Sequence, residues 1–201
     1  MTAIKAICVY CGSSQGKDPA FLQAATDIGA AIAKANIRLV YGGGTKGLMG
    51  AVANGALAAG GQVTGIIPEF LMDQEASQDS LSKLPELIVT ADMHARKHAM
   101  FERSDAFVTL PGGIGTLEEV VEIMTWAQLG RHEKPIVLAN FSGFWDPFAS
   151  LIDHMSETGF LHTAHKIRPI MVETADAIVP AVLGGANSAD PGGDRGTISR
   201  L

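Results

Sequence analysis

Aromatic residues make up only 6% of the 201-residue chain, so its core must be built from aliphatic and alanine side chains. Cysteine is scarcer still. Two cysteines cannot staple a disulfide-framed secreted fold, and a reducing, cytoplasmic setting is the expectation. No apolar run approaches the ~20 residues of a membrane span. The N-terminal stretch MTAIKAICVYCGSS lacks the basic, apolar and small-residue layout of a signal peptide. Charged residues are few (18%) and sum to −6, which excludes a general attraction to nucleic acid or to an anionic membrane. Neither is expected as a partner. A single small anion can still be held locally, because a helix N-terminus needs no net charge to bind one.

What is present is a globular composition. Hydrophobic residues reach 47%, too many for a disordered chain. The length suits one domain, or one domain and a tail. Glycine is abundant, with 23 residues and no G-X-Y period. The excess must sit in special turns or in closely packed elements.

Short β-rich runs alternate with longer helical ones. Strands are expected at about Ile4–Tyr10, Arg38–Tyr41, Gln62–Ile67, Leu87–Val89, Ala106–Leu110, Pro135–Asn140 and Pro169–Val172. They are apolar and mostly not alternating, as strands covered on both faces are. Helices are expected from Pro19, with Asp18 as N-cap, to about Ala35, and at roughly Leu48–Ala59, His94–Ser104, Thr116–Leu129, Trp145–Glu157 and Ala175–Leu183. This rhythm predicts an α/β protein: a Rossmann-like, three-layer, doubly wound parallel sheet of six or seven strands flanked by helices. A single domain should span residues 1–183. The remainder, 184–201, has five glycines and no apolar period, and is expected to be a disordered tail. Residues 68–86 are long and polar and break the rhythm, which suggests a mobile loop or a lid.

Ligands of open α/β sheets bind outside the carboxyl ends of the strands. Three glycine-rich turns occupy such places: Cys11-Gly12-Ser13-Ser14, Tyr41-Gly42-Gly43-Gly44-Thr45-Lys46-Gly47, and Pro111-Gly112-Gly113-Ile114-Gly115-Thr116. Each leads towards a helix, where free N–H groups can meet an anion. Together they point to a phosphorylated small molecule such as a nucleotide; the alternative is three tight turns. None is a Walker A loop, since Leu48-Met49 stand where Lys-Ser/Thr belongs. In the third turn Glu118 replaces the last glycine of G-x-G-x-x-G and would repel a pyrophosphate, which argues against NAD.

Glu118, Glu119 and Glu122 follow the third turn. A carboxylate near a helix N-terminus is favoured in its charged form, so these should be ionised at pH 7. Beside a phosphate-binding turn, such a group suits water activation or stabilisation of an oxocarbenium-like sugar. Ordinary acid enrichment at a helix start is the alternative. In Asp92-Met93-His94-Ala95-Arg96-Lys97, Asp92 is a candidate N-cap. Arg96 and Lys97 lie at the positive end of that helix. They call for a bound anion or a carboxylate, unless both are solvated. His94 and His98 share the i,i+4 spacing of a metal pair but lack a third ligand, and no metal site is assigned. Cys8 and Cys11 form C-x-x-C, but Cys8 lies inside the strand and the pleat sends residues three apart to opposite faces, so redox chemistry is not expected. Leu48, Met49 and Val52 read as core packing.

The run Pro111-Gly112-Gly113-Ile114-Gly115-Thr116-Leu117-Glu118-Glu119 resembles the PGGxGTxxE signature of the LOG family. These are cytokinin riboside 5′-monophosphate phosphoribohydrolases, also labelled "possible lysine decarboxylase". Cys11-Gly12-Ser13-Ser14, the stretch YGGGTKGLMG and Met93-His94-Ala95-Arg96-Lys97 agree in the same order, and the resemblance covers about residues 5–183. It implies hydrolysis of the N-glycosidic bond of a nucleoside 5′-monophosphate to free base and ribose 5-phosphate, with no cofactor. Glu119 and Arg96 would be catalytic. Gly112, Gly113, Gly115 and Thr116 would hold the phosphate, while Glu75, Lys97 and Thr125 would contact base and ribose. Gly12, Ser13, Gly43 and Ile114 complete the candidate substrate-binding set. A homodimer with active sites near its interface is also implied. Two other readings stay open: a pyridoxal-phosphate decarboxylase, for which only Lys46 and Lys97 lie on the functional rim, and a nucleotide-like cofactor carrier without turnover.

Overall fold

The computed structural model describes residues 3–161 and 169–188. Seven strands form one parallel sheet: β1 (Ala6–Tyr10), β2 (Arg38–Tyr41), β3 (Val63–Pro68), β4 (Glu86–Thr90), β5 (Ala106–Thr109), β6 (Ile136–Ala139) and β7 (Ile170–Val172). Their order is β4-β3-β2-β1-β5-β6-β7. The chain winds outward from β1 in one direction, then returns to β5 on its other side and winds the opposite way. The fold is the doubly wound α/β architecture, and its switch point lies between β1 and β5.

Both faces are covered, which is why the strands read as continuous apolar runs. In β1 all five residues are buried. Ile7 and Val9 pack into a core shared with α1 (Pro19–Lys34), α2 (Gly47–Ala58) and the last helix, α8 (Ile178–Ser188). Ala6, Cys8 and Tyr10 face the opposite layer, with α5 (Met93–Glu102), α6 (Ile114–Gln128) and α7 (Asp146–Glu157). The same pleat puts Cys8 and Cys11 in different layers, where both are free and buried. Among the described residues, no helix is long and apolar enough to cross a membrane.

The helix starts follow their caps. Asp18 accepts from the Ala20 N–H at 2.9 Å, with Pro19 at the first helical position. Asp92 accepts from Ala95 N–H at 2.8 Å. Most elements begin and end within two residues of the sequence expectation. The last does not: a 3-10 turn covers Ala175–Ala177, and α8 then runs on to Ser188, past the boundary expected at residue 183. The rest of the expected tail lies outside the described residues.

Residues 68–86 are not a bare loop. After a 3-10 turn at Glu69–Leu71 come two one-turn helices, α3 (Met72–Glu75) and α4 (Gln78–Leu81). The segment is strapped to the second glycine turn. Thr45 N–H donates to the Glu75 carbonyl at 2.9 Å, Lys46 Nζ to the Gln74 carbonyl at 2.7 Å, and Ser77 N–H to Thr45 Oγ1 at 3.0 Å. Leu81 is buried beneath it.

Candidate active site

A cleft of about 350 Å³ opens at the switch point, over the carboxyl ends of β1, β2 and β5. Its wall on one side is the start of α6. Gly113 is the N-cap of that helix and supplies no side-chain bond to its first turn, so the free N–H groups face the cleft beside Gly113, Ile114, Gly115 and Thr116. That is the geometry of an anion site.

The other two turns play different parts. The Gly12 carbonyl accepts from the N–H groups of Leu48 and Met49 at 3.1 and 3.3 Å, so the start of α2 is already capped by the first turn. Gly12 N–H in turn donates to the Pro111 carbonyl at 3.1 Å. The three turns are therefore one interlocked rim, with the free helix N-terminus at α6. Gly112 sits at the lock: a Cβ there would strike Thr116 Oγ1 and stand 2.9 Å from the Gly12 nitrogen.

Arg96 crosses the floor. It is 5% exposed, and its guanidinium donates from Nε to the Ile66 carbonyl at 3.2 Å and from Nη2 to the Gly42 carbonyl at 2.9 Å. Among the described residues, Nη1 has only the Met93 sulfur, at 3.8 Å. Gly42 must lack a side chain, because a Cβ would collide with Nη2. Glu119 lines the same cleft. Burial pushes its carboxyl up to about 7, against the pull of Arg96 and with reinforcement from Glu118 and Glu75. The expectation that it is simply ionised at neutral pH is thereby corrected. The helix dipole acts over the first turn, and Glu119 lies one turn deeper, where desolvation prevails. Tyr10, Cys8 and Cys11 beside it are pushed up by burial and remain neutral.

Of the other residues singled out from sequence, Gly12, Ser13 and Glu75 also line the cleft. One Glu75 carboxylate oxygen is buried without a hydrogen-bond partner. Gly43, Gly112, Lys97 and Thr125 do not line it. Gly43 packs on Ile67, and Thr125 is exposed on α6, its hydroxyl bonded to the Val121 carbonyl. Lys97 is not a solvated cation; it is buried and pairs with Glu118 Oε1 at 2.5 Å and Glu122 Oε1 at 3.0 Å.

Sequence reading missed an apolar wall of Met49, Leu71, Met93 and Met100. Met93 and Met100 stand three residues before and four after Arg96 on α5, so helical spacing from Arg96 carried the signal. His94 and His98 are exposed.

A family model described as "possible lysine decarboxylase" matches residues 49–182. The chain belongs to this family. Among its curated relatives, a cytokinin riboside 5′-monophosphate phosphoribohydrolase of Arabidopsis thaliana is 46% identical over 173 residues, which is 86% of this chain and 79% of the relative. Another of the same description, from Rhodococcoides fascians, is 44% identical over 179 residues, 89% of each chain. Solved structures share the fold. The molybdenum cofactor carrier protein of Chlamydomonas reinhardtii superposes with a TM-score of 0.68 at 23% identity, over 92% of this chain and 99% of that one. A molybdenum cofactor binding protein from Rippkaea orientalis gives 0.65 at 23% identity, over 92% and 98%.

The decarboxylase label finds no support in the site. A pyridoxal-phosphate enzyme needs a lysine free to form a Schiff base. Lys97 is held by two carboxylates and Lys46 by the Gln74 carbonyl, and neither lines the cleft.

Proposed function

We propose that this chain is a phosphoribohydrolase. It hydrolyses the N-glycosidic bond of nucleoside 5′-monophosphates, cytokinin riboside 5′-monophosphate and AMP among them, to free base and ribose 5-phosphate. The observation that carries this reading is the meeting, in one cleft, of an uncapped helix N-terminus, a desolvated carboxyl and a buried guanidinium. The first suits a phosphate, the carboxylate form of the second suits a sugar cation, and the guanidinium favours that carboxylate form.

The 5′-phosphate binds the N–H groups of Gly113, Ile114, Gly115 and Thr116. Glu119, when ionised, faces the anomeric carbon. It stabilises the positive charge that develops as the bond to the base nitrogen breaks, and it orients the attacking water. The bonding pair leaves with the base, which takes up a proton, and the water's oxygen becomes the anomeric hydroxyl. Arg96, fixed by two carbonyls, lines the cleft and holds Glu119 towards its charged form. Glu75 offers its unpaired oxygen to a hydroxyl or amino group of the nucleoside. Met49, Leu71, Met93 and Met100 supply an adaptable apolar wall for the base.

Thr125 stands on the outer face of α6 between Val121 and Leu129, which are 43% and 71% exposed. These three share one stripe at i,i+4 spacing. A second copy docked there covers the apolar pair and gives Thr125 a route to a neighbouring cleft, which supports the homodimer. The free, buried thiols support a cytoplasmic setting.

The test is chromatography of the protein incubated with AMP and with prenylated AMP, beside Glu119→Gln. Free base should appear with the wild type, and turnover should fall on the order of 10²-fold or more in the variant. Near-normal turnover in the variant overturns the assignment. Bound nucleotide with no base released turns it towards a carrier.

A further inference from the structure

The ion triad of Lys97, Glu118 and Glu122 lies just outside the cleft and joins its two catalytic helices. Lys97 follows Arg96 on α5, and Glu118 precedes Glu119 on α6. Lys97 Nζ reaches Glu118 Oε1 at 2.5 Å and Glu122 Oε1 at 3.0 Å. The lysine is 9% exposed and does not line the cleft, whereas Arg96, Glu118 and Glu119 do. Burial alone would lower its pKa, but its two carboxylate partners prevail and raise it, so it is charged. A single buried ammonium thus pins two successive turns of α6 to α5, at the residues adjoining the catalytic pair. Resting on the phosphoribohydrolase reading above, we propose that Lys97 is a positioning residue: it touches no substrate, sets α6 in register with α5 so that Glu119 and Arg96 line one cleft, and balances the acidic charge around Glu119.

Facing Glu119 are Arg96 and Lys97 from α5, Glu118 from α6, Glu75 from α3, and the neutral Tyr10, Cys8 and Cys11 of β1 and its end, while Glu122 acts on Tyr10 and pairs with Lys97. Lys97 favours the charged carboxylate, while Glu118 and Glu75 disfavour it. Without Lys97 the carboxylates of α6 lose their counterion, and Glu119 ionises later as pH rises. Without Glu118 the effect on Glu119 has the opposite sign. A residue that merely braced the fold would lack this paired, opposed signature.

The experiment measures base release from AMP across pH 5–9 for the wild type, Lys97→Met, Lys97→Arg and Glu118→Gln/Glu122→Gln. Lys97→Met keeps the apolar stem and drops the charge. Its kcat should fall about tenfold or more, its KM should stay within about twofold, and the acid limb of kcat/KM should move to higher pH. Lys97→Arg should recover most of kcat and the original limb. The double glutamine variant should also lose kcat, with its acid limb moved to lower pH; it serves as well if Lys97→Met does not fold. AMP affinity is measured separately, in Glu119→Gln with and without Lys97→Met. A tenfold loss of affinity there shows that Lys97 holds substrate and overturns the positioning role. So does a Lys97→Met enzyme with wild-type kcat and pH profile. No base release by the wild type overturns the phosphoribohydrolase reading and takes this one with it.

Discussion

The guanidinium of Arg96 lies against the backbone of Gly42, donating from Nη2 to its carbonyl oxygen at 2.9 Å. A side chain at residue 42 and the present course of Arg96 exclude one another, because a Cβ would occupy the place of Nη2. Gly42 has no positive φ among the described glycines, so an alanine there is acceptable to the backbone itself. Gly42→Ala should therefore keep the fold and displace the arginine. A displacement of about 1 Å at such a group can reduce turnover by on the order of 10²-fold. Base release from AMP and a melting curve check this together. A variant with normal turnover would mean that the position of Arg96 is not critical.

Glu119 is held at the expense of stability. Its carboxyl titrates at about 7 in the folded chain against 4.5 as a free side chain. A group whose pKa is raised on folding favours the fold fully below its unfolded pKa, and this contribution is lost as pH rises through the folded value. The loss thus falls between about pH 4.5 and 7. Glu119→Gln removes the titration. It should leave the protein more stable than wild type at pH 8, by on the order of 1–3 kcal/mol, with the difference fading towards pH 4.5. Urea unfolding at several pH values measures it. A constant difference across that range would show that burial of the charge is not its cause.

The same residue shows where sequence reasoning stops. Strands were legible because burial on both faces leaves unbroken apolar runs, as in Ala6–Tyr10. Helix starts were legible where the cap is a side chain, as at Asp18 and Asp92. The cap of α2 was not, because it is the carbonyl of Gly12, 35 residues before Gly47 in the chain. Nor was the strap at residues 68–86: its polar composition reads as a loop, and the bonds from Thr45 and Lys46 that hold it are long-range. Glu119 and Arg96 were nameable from their motifs. The upward shift of Glu119 was not, since it depends on what β1, α3 and α5 pack around it. Lys97 called for a bound anion or a carboxylate from its place at the helix start, and it pairs with two carboxylates; which two was not legible, because the pairing spans two helices.

Thr116 should separate phosphate binding from chemistry. It is 4% exposed, lines the cleft and belongs to the uncapped first turn of α6. Thr116→Val preserves the branched shape and removes only the hydroxyl. If that hydroxyl donates to the phosphate, its loss corresponds to about 1.5–3 kcal/mol, the range for a hydrogen bond to a charged group. KM for AMP should then rise roughly ten- to a hundredfold, with kcat changed little. Steady-state kinetics decide. An unchanged KM would place the phosphate elsewhere on the rim.

The outer stripe of α6 tests the homodimer. Leu129 is 71% exposed and Val121 43%, with Thr125 between them, and none of the three lines the cleft of its own chain. Leu129→Glu adds a charge to this stripe without touching either core layer, so the monomer should fold as before. A charge buried unpaired in an interface typically costs several kcal/mol. Sedimentation at micromolar concentration should therefore show a dimer for the wild type and a monomer for Leu129→Glu. If Thr125 serves a neighbouring cleft, base release by the variant should fall with dimer content, and Thr125→Ala should weaken KM in the dimer while leaving the monomeric variant unaffected. A fully active Leu129→Glu monomer would show each cleft to be complete in its own chain.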